Sequence, residues 1–176
     1  AALKNQYHEW EGSWYYFDSN GYLQTGWKQI SGVWYFLNGS GVMETGLKEI
    51  GGTKYLFTDG GAMQTGWYQE SNKWYYLADT GRMVTGLYQV YHSTYYFDGN
   101  GVMQTGWIKL GDGWHYFDKS GAMHRDTTTP DGYYVDQEGI WKEFSKVSTT
   151  TELITVEKAE ALPQTTVQTT TEEQVQ

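Results

Sequence analysis

The sequence contains no cysteine and only two prolines in 176 residues. Without cysteine, disulfide bonds, cysteine-ligated metal sites and cysteine nucleophiles are excluded. No apolar run approaches the roughly 20 residues that a membrane-spanning helix needs, so we expect no membrane insertion. The first residues carry neither an initiating methionine nor a signal-peptide pattern, and we expect the chain to be a fragment of a longer protein.

Basic residues are also scarce. The chain has 12 lysines and arginines against 21 aspartates and glutamates, which gives a formal net charge of -9. Nucleic-acid binding needs a basic surface, so nucleic acid is not an expected partner. The acidic balance instead suits a cationic ligand.

Aromatic residues are abundant: tryptophan, tyrosine and phenylalanine make up 18% of the chain. Isoleucine, leucine and valine are too few to build an ordinary aliphatic core. Aromatic side chains must therefore do much of the packing, and some of them are available for binding.

A repeat of 20 residues dominates the sequence. Its clearest marks are the Thr-Gly pairs, which recur at this step without insertion: Thr25-Gly26, Thr45-Gly46, Thr65-Gly66, Thr85-Gly86 and Thr105-Gly106. The methionines keep the same step, at Met43, Met63, Met83, Met103 and Met123. Self-similarity of this kind is the signature of stacked units that cannot bury their apolar faces alone.

The pattern inside a unit predicts a β-hairpin. Two short strands rich in aromatic residues flank Ser31-Gly32, where a two-residue turn is needed. The equivalent turns are Gly51-Gly52, Ser71-Asn72, Tyr91-His92 and Gly111-Asp112. Four of these five pairs favour the positive φ angles of tight hairpin turns; at Tyr91-His92 we expect strain or a longer turn. The fold-class prediction is all-β, a solenoid of tandem 20-residue β-hairpin repeats.

The repeat region is predicted to cover residues 1–144, with about seven hairpin units that are atypical at both ends. The last unit, Thr127 to Trp141, is two residues short around Pro130. Residues 145–176 are rich in threonine, glutamate and glutamine and lack aromatics. We expect them to form an irregular C-terminal tail, a linker or stalk.

Paired tryptophans are the strongest candidates for binding. Pairing about the Ser31-Gly32 turn puts Trp27 and Trp34 on one face of the hairpin as diagonal neighbours. Such pairs occur as Trp27/Trp34, Trp67/Trp74 and Trp107/Trp114, whereas the intervening units have Leu47/Lys54 and Leu87/Thr94. Because both members are lost together, we interpret each pair as one binding site rather than as packing.

Other recurrent side chains are assigned structural roles. The tyrosines on the opposite face are assigned to packing: Tyr15, Tyr35, Tyr55, Tyr75 and Tyr95. The four histidines share no metal-like spacing, and we expect them at the surface or in turns. No catalytic set, metal site or cofactor site stands out from the repeat.

A quaternary ammonium group suits a pair of exposed indole rings. It is bulky, weakly hydrated and attracted to the negative faces of aromatic rings, with about 0.5–2 kcal/mol per cation–π contact. Three aromatic walls would give roughly millimolar binding at each site. Several such sites on one polymer-binding chain would add avidity.

The Thr-Gly-Trp, short-turn, Trp-Tyr-(Tyr/Phe) and Gly-x-Met pattern, over about Tyr7 to Trp141, resembles the choline-binding repeats of pneumococcal-type surface proteins and autolysins. The resemblance implies a superhelix of hairpins with choline sites between consecutive repeats. Each site takes two tryptophans from one repeat, a tyrosine from the next hairpin and a nearby methionine.

By position, the resemblance implies four choline sites. They are Trp67, Trp74, Met83 and Tyr96; Trp107, Trp114, Met123 and Tyr134; Trp27, Trp34 and Met43, with Leu56 where tyrosine is expected; and Tyr7, Trp14 and Phe36, with Leu23 in place of methionine.

The function implied is that of a non-catalytic module. It would anchor an extracellular protein to the bacterial cell wall by binding phosphocholine on teichoic or lipoteichoic acids. Three alternatives stay open: a glucan-binding repeat module, the targeting part of a wall-lytic enzyme whose catalytic domain lies outside this sequence, and a structural spacer or adhesin.

Overall fold

The computed structural model describes residues 6–143. These residues form β1 (Gln6–Trp10), β2 (Ser13–Phe17), β3 (Gly26–Ile30), β4 (Val33–Leu37), β5 (Gly46–Ile50), β6 (Thr53–Phe57), β7 (Gly66–Glu70), β8 (Lys73–Leu77), β9 (Gly86–Val90), β10 (Ser93–Phe97), β11 (Gly106–Leu110), β12 (Gly113–Phe117), β13 (Thr127–Thr128) and β14 (Tyr134–Val135). Each odd-numbered strand pairs with the next strand in a two-stranded sheet. The predicted all-β fold of tandem hairpins is confirmed.

Contacts along the chain divide it into two units. Among residues 6–143, the first unit comprises residues 6–88 and 97–103, and the second comprises residues 89–96 and 104–143. Across residues 6–143, no helix is long and apolar enough to span a membrane. The tail predicted for residues 145–176 lies outside the described residues.

The strand register follows the sequence pattern. Trp27 pairs with Phe36, Gln29 with Trp34, and Ile30 with Val33, as the turn position predicts. The hairpins β5–β6, β7–β8 and β11–β12 repeat this five-residue register. Alternate side chains of every strand therefore point to opposite faces.

Most hairpin turns take the backbone conformation that the sequence predicts. Ser31 and Gly32 have φ angles of 51° and 82°, and both residues of the 51–52 and 71–72 turns are also positive. The prediction is wrong at Gly111-Asp112, where neither residue has a positive φ. There Gly113 has a φ of 149°, and the Asp112 carboxylate lies 3.0 Å from Nε2 of His115.

The turn at Tyr91 carries the expected strain without lengthening. It keeps two residues, Tyr91 has a φ of 53°, and its side chain is 86% exposed. A bulky residue in this left-handed region is disfavoured, and no burial of the ring compensates for it.

We therefore expect Tyr91→Asn to raise the stability of the chain by about 0.5–1 kcal/mol, because asparagine tolerates the left-handed region. The thermal unfolding midpoint, followed by circular dichroism, measures the change. Ser71→Tyr makes the reverse substitution at the same turn position, where φ is 49°, and should lower the midpoint. A lower midpoint for Tyr91→Asn would contradict the prediction.

The apolar centre of each unit is built from the last residue of the second strand of each hairpin. In the first unit these residues are Leu37, Phe57, Leu77 and Phe97, each at most 2% exposed. In the second unit they are Phe117 and Val135, both fully buried. Each forms a β-bridge with the residue six positions later, a methionine in every case except Trp141.

Loops between hairpins are held by their own side chains. Oδ1 of Asn38 accepts hydrogen bonds from the backbone N–H groups of Ser40 and Val42, at 3.0 and 3.1 Å. Asp18, Asp98, Asp118 and Asp136 accept the equivalent pairs in their loops. These bonds satisfy loop donors that no strand can reach.

A recurrent backbone hydrogen bond joins each closing segment to the hairpin of the preceding repeat. In the first unit the N–H of Met43 donates to the Trp14 carbonyl at 2.8 Å, and Met63 donates to Trp34 in the same way. Further bonds of this kind run from Met83 to Lys54, Met103 to Trp74, Met123 to Thr94 and Trp141 to Trp114. The methionine of one repeat therefore lies beside the hairpin of the repeat before it.

His115 corrects one assignment. It was expected at the surface or in a turn, but it is 1% exposed, in the strand position that tyrosine occupies in the preceding hairpins. Its ring meets the Asp112 carboxylate, and that hydrogen bond lowers the pKa of Asp112. A histidine can be buried here because one nitrogen keeps a polar partner.

The surroundings of Gly61 show how tightly consecutive repeats pack. Its φ is 77°, and a Cβ added there would lie 2.5 Å from Sδ of Met43. Gly86 has nearly the same φ, 76°, but has no atom within 4 Å of such a Cβ.

Alanine at either position should cost about 1–2 kcal/mol for the left-handed backbone. Gly61→Ala should cost about 1–3 kcal/mol more because it displaces the buried Met43. Urea unfolding of both variants measures the difference. Equal losses would show that the contact with Met43 yields without strain.

Candidate functional site

The predicted tryptophan pairs are present in the first unit. The ring centroids of Trp27 and Trp34 are 6.3 Å apart with an interplanar angle of 82°, and those of Trp67 and Trp74 are 6.1 Å apart at 87°. Trp34 and Trp74 are 40% and 41% exposed. Trp67 is also exposed, at 38%, whereas Trp27 is half-buried. Each pair therefore presents two nearly perpendicular indole rings with at least one open to solvent.

A third ring supports the first tryptophan from within the same hairpin. Phe36 lies 5.2 Å from Trp27, and Tyr76 lies 5.1 Å from Trp67. Phe36 was expected in a site with Tyr7 and Trp14, but the structure packs it against its cross-strand partner Trp27.

The first hairpin shows how a complete pocket is built. Tyr7, Trp14, Tyr35, Met43 and Gly60 line a cavity of about 250 Å³. The rings of Tyr7 and Tyr35 are 5.5 Å apart. This volume is below the roughly 300–1,000 Å³ of sites for drug-sized ligands, and it suits a smaller group.

The same arrangement recurs one repeat later. Tyr55 lies 4.8 Å from Trp27, in the position that Tyr35 takes toward Tyr7. Met63 donates its backbone N–H to Trp34, as Met43 does to Trp14. The aromatic wall from the following hairpin is thus Tyr55, so Leu56 does not leave this site without a tyrosine.

Two details of the site therefore differ from the grouping made by sequence. The tyrosine wall comes from the position of Tyr35 and Tyr55, for which the sequence predicts a packing role, and not from that of Phe36 and Leu56. A shift of one residue along a strand turns the side chain to the other face. The 20-residue recurrence of the tyrosines was the signal for this wall, but the pattern within one hairpin could not show which neighbour they meet.

The methionine of each site comes from the repeat that follows the expected one. The sequence comparison groups Met43 with Trp27 and Trp34, but Met43 lines the cavity with Tyr7 and Trp14. The same comparison groups Met83 with Trp67 and Trp74, but Met83 donates its N–H to Lys54. The residue joined to Trp74 is Met103.

Tyr96 belongs to the second unit, where its ring lies 6.1 Å from that of Phe117. In the same unit Met123 donates its backbone N–H to Thr94.

The last site is more closed than the others. Trp107 is 6% exposed, and its indole N–H donates to Asp131 at 2.8 Å. Tyr133 packs edge-on against Trp107 at 5.8 Å, whereas the phenol of Tyr134 donates to Asp126. Trp141 replaces methionine beside Trp114, 6.4 Å from Tyr133. Because the unit is two residues short, the tyrosine wall falls on Tyr133.

The cavity lined by Tyr7, Trp14, Tyr35, Met43 and Gly60 has no charged residue in its lining. Burial, reinforced by the neighbouring Tyr35 phenol, raises the pKa of Tyr7 far above its ordinary value, so its hydroxyl stays neutral. Attraction for a cation would come from ring faces and not from an ion pair. Residues 6–143 contain no group of three or more side chains placed to hold a metal ion.

Two family models match parts of the repeat region. A family model described as a choline-binding repeat matches residues 44–86 and 84–127. A second, for a cell wall binding repeat, matches residues 5–23 and 25–43. No curated protein sequence matches the chain.

Solved structures of Streptococcus pneumoniae proteins resemble the chain. Choline binding protein F, crystallised in the presence of a peptidoglycan analogue, is 42% identical with a TM-score of 0.72, over 78% of this chain and 46% of that one. CbpJ is 42% identical with a TM-score of 0.70, over 77% of this chain and 47% of its own. The chain thus spans about half the length of these relatives.

The modular autolysin LytC, at 22% identity and a TM-score of 0.55 over 80% of this chain and 38% of that one, shares the fold. The repeats matched by the family models, the hairpin fold and the two more similar structures lead to one assignment. The chain belongs to the family of choline-binding, cell-wall-binding repeat proteins.

Proposed function

We propose that this chain is a non-catalytic module that anchors its protein to the bacterial cell surface by binding choline. The ligand would be the choline of phosphocholine groups on teichoic and lipoteichoic acids. The observation that carries the proposal is the cavity of Tyr7, Trp14, Tyr35 and Met43, whose arrangement returns at Trp27, Trp34, Tyr55 and Met63.

The chemistry of the cavity suits a trimethylammonium group. Such a group makes no strong hydrogen bond, so a pocket without charged walls costs it little, while each ring face contributes about 0.5–2 kcal/mol. A buried methionine offers a polarizable apolar surface for the methyl groups. Weak sites in several repeats would then hold a polymer by avidity.

The relatives support this ligand and an extracellular location. The matched families are binding repeats, and two similar pneumococcal proteins include one named for choline binding. The non-catalytic role rests on the same families, which are described as binding repeats.

The first experiment is a choline titration followed by tryptophan fluorescence and near-ultraviolet circular dichroism. We expect a saturable change with choline and none with glucose oligomers. A response to the oligomers instead of choline would identify a carbohydrate-binding module, and no response to either would leave a structural spacer.

Trp34→Ala should weaken choline binding at its site by about 2- to 30-fold, because it removes one cation–π wall. Trp10→Ala is the matched control, since Trp10 is 65% exposed at a hairpin tip and is not among the residues that line the aromatic cavity of Tyr7, Trp14 and Tyr35. Isothermal titration calorimetry separates the two. Equal effects of both substitutions would argue against the aromatic site.

Restoring the missing pair should create a site. Leu47 and Lys54 occupy the positions of Trp27 and Trp34, and Met83 already donates its N–H to Lys54. The double variant with Leu47→Trp and Lys54→Trp should raise the number of bound cholines by one, as measured by calorimetry. Leu47→Trp alone, with one wall still missing, is the control. An unchanged stoichiometry in a folded double variant would contradict the proposal.

A further inference from the structure

A second cavity of the first unit lies where the aromatic pair is interrupted. It has a volume of about 330 Å³, and its lining includes Glu49, Thr53, Lys54, Arg82, Tyr88 and Asn100. Lys54 and Asn100 stand 40 residues after Trp14 and Gly60, which line the aromatic cavity. The repeat thus builds a cavity at the same place with polar walls.

The backbone fixes the two basic residues at this cavity. Arg82 forms a β-bridge with Tyr55, and the next residue, Met83, donates its N–H to the Lys54 carbonyl at 2.8 Å. Lys54 and Arg82 are therefore on neighbouring segments held side by side. The inter-hairpin bond that organises the aromatic sites also brings these two residues to the lining of one cavity.

In the part of the chain that the structure describes, neither the Lys54 ammonium nor the Arg82 guanidinium takes part in an interaction that stabilises the fold. Within residues 6–143, no ion pair or side-chain hydrogen bond engages the Lys54 ammonium or the Arg82 guanidinium. Other basic residues do have partners: Lys48 pairs with Glu44 at 2.7 Å, and Lys142 pairs with Asp136 at 3.1 Å. Arg125, in the second unit, donates to Thr94 and to the Gln137 carbonyl.

The local charge opposes that of the chain. Lys54 and Arg82 against the single carboxylate of Glu49 give the lining a net positive charge, whereas the whole chain carries -9. Two like charges at one cavity repel each other unless an anion lies between them. The positive charges of Lys54 and Arg82 attract an anion into the cavity. A neutral ligand would not need them.

We propose that this cavity binds a phosphate group through Lys54 and Arg82. The guanidinium presents a planar fork of donors to phosphate oxygens, and the ammonium adds a point charge. The Thr53 hydroxyl and the Asn100 amide, on the same lining, are further donors. The inference does not depend on choline binding, because it concerns different residues and a ligand of opposite charge.

The test is a two-dimensional NMR titration of the full chain with inorganic phosphate at constant ionic strength, with chloride as the reference anion. We expect saturable shifts of the amides of residues 52–54 and 82–85. Arg82→Gln should weaken the binding by about tenfold or more, because it removes charged hydrogen bonds. Arg82 is exposed, so this substitution should leave the fold intact.

Lys119→Gln is the matched control: Lys119 is an exposed lysine in a loop of the second unit, and it should leave phosphate binding unchanged. Phosphocholine and glycerol phosphate, titrated separately, distinguish a head-group phosphate from a backbone phosphate. Choline alone, titrated into the same sample, should not shift these amides. That arm reports independently on the aromatic sites, so one proposal can fail while the other holds.

Three results would overturn the phosphate site: no shift beyond that of chloride, equal binding by the Arg82→Gln variant, or shifts with neutral glucose oligomers that Arg82→Gln leaves intact. The last result would identify a sugar site in which Tyr88 supplies a stacking ring.

Discussion

The hydrogen bond from the Met43 N–H to the Trp14 carbonyl, with its counterparts along the chain, fixes how far each hairpin is displaced along its neighbour. A two-stranded hairpin is at best marginally stable alone in water, so the fold depends on what each hairpin meets next. This bond brings the methionine of one unit beside the hairpin before it. The buried residues Leu37, Phe57, Leu77 and Phe97 then lie at equivalent positions in the first unit.

The same displacement explains why aromatic and polar cavities can alternate. The backbone of the stacked repeats supplies a concave position beside the second strand of a hairpin, whatever side chains line that position. Where the strand offers Trp14, the walls are rings; where it offers Lys54, they are cations and hydroxyls. The backbone fixes the place, and two or three side chains per repeat set the chemistry.

Sequence reasoning succeeded where the information is local. The turn at Ser31-Gly32 determines the pairing of Trp27 with Phe36, and alternation along the strands then brings Trp27 and Trp34 to one face. Turn chemistry also pointed to strain at Tyr91, which the backbone carries as a φ of 53°. These features need no knowledge of the neighbouring hairpin.

The rest depended on contacts between hairpins, which no single-hairpin pattern encodes. Tyr55 points away from its own Leu47 face, yet that direction leads to Trp27 of the hairpin before it. The burial of Trp107 depends on Asp131 and Tyr133, which the shortened last repeat brings into reach. Residue type and repeat period do not give the displacement of one hairpin along the next, and that displacement decides both of these contacts.

The cavity of Tyr7, Trp14, Tyr35, Met43 and Gly60 takes its walls from three consecutive repeats. No single repeat, cut out alone, could form it. The number of sites therefore grows with the number of consecutive repeats. Gain or loss of a whole 20-residue repeat would change the number of ligand groups that the chain binds, whereas the interior sites would keep their structure. A one-residue insertion in a strand would turn every later side chain of that strand to the wrong face, so the length of the repeat is itself under functional constraint.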